Sequence, residues 1–194
     1  MKRKILVIGV FILGGYFFFS PYQFQPDFQK RILIETTEIH APIKQVFTYL
    51  GNSDNARNWS SFVSHIIPLN PKKVADGAVG SIRRCFKNPD ENGEQWDEEI
   101  LIVEPNQRRR LSIFNLKNFQ IGSEFLLTEQ LYERLGAKRC RLTFTLFLKE
   151  EAGWIEHLKM YYASYQISRI FKKNIQNIKT INERKYRQAL LSAG

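Results

Sequence analysis

From Ile155 to Leu190 the chain contains neither proline nor glycine, the two residues that most strongly break a helix. Apolar residues recur there at steps of three and four in two sets. The first is Ile155, Leu158, Tyr161, Tyr162 and Tyr165; the second is Ile167, Ile170, Phe171, Ile175, Ile178 and Ile181. At about 100° per residue the sets fall on different faces, offset by roughly half a turn. The spacing predicts one long C-terminal helix over 155–188, with a kink, break or change of packing partner near Ser164–Ser168. Arg169, Lys172, Lys173, Lys179, Arg184 and Arg187 lie away from the apolar stripe of the second half. That basic back is either a solvated surface or a face for anionic lipid or an acidic partner.

A helix of this length needs something to cover. Arg31–Ile39 reads as a strand, broken by His40-Ala41-Pro42. Pro42 then opens a short helix, Ile43–Leu50, with Val46, Phe47 and Leu50 inward. Gly51-Asn52-Ser53-Asp54 stops it and caps a second short helix running toward Trp59. Six further strands follow, at Phe62–Leu69, Val79–Phe86, Glu94–Val103, Arg109–Asn115, Ile121–Glu133 and Arg139–Lys149. The turn Asn88-Pro89-Asp90-Glu91-Asn92-Gly93 is typical of a hairpin. Successive hairpins make an antiparallel sheet whose apolar face must be covered. The expected fold is therefore α+β: a curved seven-stranded antiparallel sheet around the long C-terminal helix, with leftover space as a pocket.

The N-terminus carries a different signal. Met1-Lys-Arg-Lys4 precedes an apolar run from Ile5 to Phe19. The run is short for a membrane span, but Ser20, Pro21, Tyr22 and Phe24 extend it with interfacial residues. The run ends without an Ala-x-Ala cleavage site, which favours an uncleaved N-terminal transmembrane helix over a signal peptide or a soluble arm. This reading divides the chain into a membrane anchor at 1–22, a tether at 23–30 and a domain at 31–190. It implies a single-pass protein of a bacterial inner membrane, with the domain outside the cytoplasm. Charge is distributed to match: residues 1–31 carry +4, residues 32–153 balance to zero and residues 154–194 carry +6 of the net +10. Basic ends on a neutral body suit a membrane partner and give no nucleic-acid face.

Several short motifs together resemble the START-like, SRPBCC or helix-grip superfamily, with its polyketide cyclase/dehydrase-like and coenzyme-Q-binding groups. They are Ile39-His40-Ala41-Pro42 with Val46-Phe47 and Tyr49-Leu50, then Asn58-Trp59, then Gly77-Ala78-Val79-Gly80. Ile102-Val103-Glu104-Pro105 with Leu111, and Arg141-Leu142-Thr143-Phe144, complete the set. The likeness covers about 32–188. It implies a helix-grip fold with a hydrophobic cavity and no single activity, because members bind lipids, sterols, quinones or polyketides and some are enzymes.

The chemistry on offer is sparse. His40, His65 and His157 show no metal-ligand spacing, and no nucleophile elbow, P-loop or dinucleotide fingerprint is present, so no metal and no cofactor is expected. Cys85 and Cys140 are too few for a disulfide scaffold and are expected as free, buried thiols. In Asp97-Glu98-Glu99, alternation puts Glu98 on the face opposite its neighbours. Glu98 and Glu129 are the candidates for a carboxylate turned into the pocket, where burial would raise the pKa. The alternative is an outer face on which they meet Arg83, Arg84 and Arg108–Arg110. Trp59, Trp96, Phe144, Leu158, Tyr161, Tyr162 and Tyr165 are the remaining expected pocket-lining residues. Three functions follow: a membrane-tethered binder or carrier of a hydrophobic small molecule (lipid, quinone or polyketide-like), a cyclase or dehydratase using an inward Glu and Tyr, or a docking module using Lys172, Lys173 and Lys179.

Overall fold

The computed structural model describes residues 14–120 and 122–192. Eight strands form one antiparallel sheet: β1 (Gln23–Gln25), β2 (Lys30–Ile39), β3 (His65–Pro68), β4 (Ile82–Phe86), β5 (Gln95–Glu104), β6 (Arg108–Lys117), β7 (Leu126–Gly136) and β8 (Arg139–Leu148). Their order across the sheet is β1-β2-β8-β7-β6-β5-β4-β3. The meander expected from the turn residues is present, and the first long strand closes on the last, with Ile39 opposite Cys140 and Ile32 opposite Phe147. The count is eight rather than seven because Gln23–Gln25, expected as tether, pairs with Lys30–Ile32. That pairing follows from the turn Pro26–Phe28, where Gln29 takes a left-handed φ of 53° and reverses the chain.

Between β2 and β3 the chain forms α2 (Ile43–Gly51) and α3 (Ala56–Trp59). α2 begins after Pro42, as its missing N–H allows. Val46, Tyr49 and Leu50 of α2 pack with Ile39, Leu142, Ile175 and Ile178 in the main core. A second core gathers Tyr22, Leu33, Leu126, Leu146, Leu148 and Met160 at the other end of the sheet.

The long helix α4 runs without a break from Trp154 to Ser192. The expected division into two faces near Ser164–Ser168 is wrong. Met160, Ser164, Ser168, Ile175, Ile178 and Asn182 are all buried, and half-buried Phe171 fills the one gap. These positions step by three and four and so make one continuous stripe. Apolar periodicity missed it because the central positions are small or polar and are satisfied by specific partners. Ser164 Oγ meets Ser20 Oγ at 2.9 Å, and Ser168 Oγ donates to Glu35 at 2.6 Å. Asn174 Oδ1 accepts from the Ser61 N–H at 2.7 Å, and the Asn182 backbone carbonyl accepts from Gln45 at 2.8 Å. Each polar position thus ties α4 to a different element: the N-terminal segment, β2, the loop after α3, and α2.

The single-pass localisation must also be corrected. Among the described residues no helix is long and apolar enough to cross a membrane. Residues 1–13, which hold most of the apolar run and of the expected anchor, lie outside the described residues. The described part of the run forms a helical segment over 14–18 (α1) that packs against α4. The Tyr16 ring lies 4.8 Å from Tyr165, and Phe17 meets Tyr161 edge-on at 5.0 Å. Just after it Tyr22 is fully buried, and its hydroxyl lies 2.9 Å from His157 Nδ1. Tyr161 and Tyr165 of α4 are therefore occupied by the chain's own N-terminal segment.

Candidate functional site

The concave face of the sheet and the inner stripe of α4 do not meet over their whole length. Between them lies a cavity of roughly 460 Å³, within the range of small-molecule sites. Its floor is made by inward residues of β4 to β8, its roof by Met160, Ile167 and Phe171 of α4, and one side wall by Trp59 and Phe62. The lining is predominantly apolar because strand alternation delivers Leu111 and Ile113 from β6 and Phe144 and Leu146 from β8 to the same face. The Phe62 and Trp96 rings stack at 5.5 Å, and Phe119 meets Trp96 edge-on at 5.9 Å. Tyr162 and Gln120 line the cavity and also reach solvent, which places the mouth between α4 and the loop after β6. A second recess, about 300 Å³, adjoins there and shares Phe119, Ser123 and Lys159 with the first.

One end of this apolar space is polar. Arg83 lines it beside Glu98, with Nη2 2.8 Å from Oε2, and both side chains are largely buried. Trp96 Nε1 donates to the other carboxylate oxygen at 3.0 Å. Arg83 Nη1 also donates to Ser53 Oγ at 3.1 Å, and Ser53 Oγ donates in turn to Asp76 at 2.7 Å. Burial disfavours the charge on Arg83, but Glu98 more than offsets it and holds the pKa above the usual arginine value. The loop that carries Asp76 can approach α2 only because residue 77 is glycine. Its φ is +81°, and a Cβ there would stand 2.6 Å from the Gly51 carbonyl oxygen.

A second buried guanidinium lies behind this wall. Arg109 is 3% exposed, its carbon Cζ is 4.6 Å from the centre of the Phe47 ring, and no ion pair to a carboxylate within 4.0 Å is formed among the described residues. Its Nη1 donates to Gln130 Oε1 at 3.3 Å and to Tyr132 Oη at 3.5 Å, and its Nε has no hydrogen-bond partner among the described residues. Burial lowers its pKa below the ordinary arginine value. Cys85 also lines the cavity; burial pushes its thiol well above the normal range, and neither cysteine is in a disulfide.

Of the residues singled out from sequence, Trp59, Trp96, Glu98, Phe144 and Tyr162 stand on the cavity wall. Glu129 contributes to the wall as a residue, but its carboxylate does not face inward. It sits opposite Arg110 and Thr145 and accepts from Arg110 Nε at 2.7 Å on the convex face. The inward residues of β7 are its neighbours Thr128 and Gln130. The expected strand had no anchor for its register, and a slip of one position exchanges the faces. Leu158, Tyr161 and Tyr165 do not line the cavity. Leu158 is 43% exposed on the outer side of α4, and Tyr161 and Tyr165 hold the N-terminal segment. Arg83, Gln130, Phe119 and Met160 were not found from sequence. Alternation from Glu98 and its partner Arg83 would have reached the first; the other three required the register and the crossing of α4.

No family model and no curated protein matches this chain. Solved structures do. Over 82% of this chain and 97% of the other, the aromatase/cyclase Zhui from Streptomyces sp. R1128 aligns with a TM-score of 0.61 at 14% identity. XoxI from Bacillus cereus aligns over 78% and 94%, with a TM-score of 0.57 at 12% identity. Norcoclaurine synthase from Thalictrum flavum, in complex with dopamine and hydroxybenzaldehyde, aligns over 77% and 84%, with a TM-score of 0.55 at 11% identity. At such identities the likeness is one of fold. The chain shares the helix-grip fold of these structures, the fold that the sequence resemblance implied.

Proposed function

We propose that this protein binds one hydrophobic, ring-bearing small molecule between its sheet and α4 and acts as a binder or carrier rather than a catalyst. The observation that carries the reading is the cavity itself, roughly 460 Å³, walled by Trp59, Phe62, Trp96, Phe119 and Phe144 and closed at one end by a satisfied polar cluster. Aromatic walls favour flat rings, which pack edge-on or offset against them. A fold neighbour, norcoclaurine synthase, was solved with two ring compounds, dopamine and hydroxybenzaldehyde. The carboxylates on or beside the wall favour binding over acid–base chemistry. Glu98 is paired with Arg83, Glu94 with Lys87 at 2.7 Å and Glu129 with Arg110, so none is poised to exchange a proton with a ligand.

The test is native mass spectrometry and organic extraction of the purified protein, alongside a Thr128→Trp variant that fills the cavity. The expected result is a co-purifying apolar compound, or uptake of added naphthalene derivatives, by the wild type and not by the filled variant. Equal uptake by both would refute the reading.

A further inference from the structure

Gln130 lies in the middle of the concave face, in a cross-strand row with Arg109 on β6 and Phe144 on β8. It is half-buried although strands flank it on both sides, because its side chain faces the cavity. Two groups fix the orientation of its amide. Tyr132 Oη donates to Gln130 Oε1 at 2.6 Å, and Arg109 Nη1 donates to the same oxygen at 3.3 Å. An arginine has donors only, so Arg109 cannot be satisfied by an amide nitrogen. Arg109 also donates to Tyr132 Oη, which leaves the tyrosine proton to point at Gln130. The direction of donation thus runs from Arg109 through Tyr132 to Gln130 Oε1. The Nε2 group, with two N–H donors, is left toward the cavity with no partner among the described residues. Trp59, edge-on to Phe144 at 6.2 Å, lines the same wall, and its buried indole N–H has no partner among the described residues.

We infer that Gln130 is a specificity subsite. Its Nε2 donates to an oxygen acceptor, a carbonyl or carboxylate, on an otherwise apolar ligand, and Arg109 and Tyr132 act as positioning residues that lock the amide. The inference rests on the binding role proposed above and narrows it from any hydrophobic molecule to one carrying such an oxygen. The lone Arg109 guanidinium behind the amide adds positive potential to the same wall, which favours an oxygen bearing negative charge. A ligand without the acceptor leaves the N–H groups unpaired in a desolvated space, which costs affinity.

The test compares 2-acetylnaphthalene and 2-naphthoate with 2-ethylnaphthalene by equilibrium dialysis against wild type, Gln130→Glu and Gln130→Leu. The carboxylate that Gln130→Glu introduces still accepts from Arg109 and Tyr132, so the wall stays satisfied while the donors are gone. Retention of 2-ethylnaphthalene reports that the cavity is intact. The expected result is that the ratio of ketone to hydrocarbon affinity falls about five- to tenfold in both variants, the worth of roughly one hydrogen bond. Naphthoate is expected to be excluded most strongly by Gln130→Glu, and Gln130→Glu alone decides if Gln130→Leu does not fold. An unchanged ratio, with hydrocarbon still bound, overturns the subsite and leaves the binding role standing. Failure of the wild type to retain any of the three compounds overturns the binding role and the subsite together.

Discussion

Removing one half of the pair at the polar end of the cavity is the most direct test of how that wall is held. Glu98→Ala leaves Arg83 with side-chain exposure of only 9% and no carboxylate in contact among the described residues. Loss of one partner from a buried pair costs about 3–5 kcal/mol. Ser53 and Asp76 behind it and the open cavity in front place this case near about 3 kcal/mol. Trp96 Nε1 also loses its acceptor, adding about 1 kcal/mol. For a chain of this size about 1 kcal/mol shifts Tm by roughly 2–4 °C, so the single variant is expected to melt about 8–16 °C lower. Arg83→Leu/Glu98→Leu removes both charges and is expected to recover most of that loss, because neither ion remains to be desolvated. Urea unfolding followed by far-UV circular dichroism and tryptophan fluorescence gives the three differences and the coupling among them. A double variant as unstable as the sum of its two single variants would refute the argument that mutual compensation keeps these charges buried.

Other expectations concern single contacts. Asp97 is buried on the convex face; burial works to raise its carboxyl, but hydrogen bonds from Arg84 and Asn115 outweigh it and hold the pKa below 3.8. Its contribution to stability is therefore complete above about pH 4 and lost as pH falls through the lower folded value. Asp97→Asn should flatten that acid limb, measured as urea midpoint against pH. Burial pushes the Cys140 thiol up to about 11 and Cys85 well above its usual value. At pH 8 a thiol reagent should therefore label neither in the folded protein and both in urea. Gly77→Ala places a Cβ against the Gly51 carbonyl at a positive φ and should destabilise by about 2 kcal/mol or more, read from the same urea curves. Tyr22→Phe removes the contact to His157 and should raise amide exchange in β1 while leaving β5–β8 protected, with global stability lower by about 1 kcal/mol.

The element order from the second strand onward, the meander and the reach of α4 followed from the sequence alone, because each rests on local rules. Pro and Gly mark where elements stop, and the apolar face of a sheet demands a cover. Alternation within β5 correctly separated Glu98 from Asp97, since one strand read by itself needs only parity. Parity alone could not place Glu129, because the inward face of β7 is set by its pairing with Arg110 and Thr145. For the same reason Gln130 was overlooked. Its meaning lies in Arg109, Tyr132 and Phe144, which come from separate positions in the chain and meet only across the folded sheet. The buried stripe of α4 is a further case. Ser164, Ser168 and Asn182 look like surface residues until Ser20, Glu35 and Gln45 are brought against them. Of the tyrosines expected as a ligand face, Tyr162 lines the cavity, while Tyr161 and Tyr165 instead hold residues 16–22 of the same chain. Sequence determined what the elements are and roughly where they end. Tertiary structure decided which polar groups are partnered, and so which ones remain free to meet a ligand.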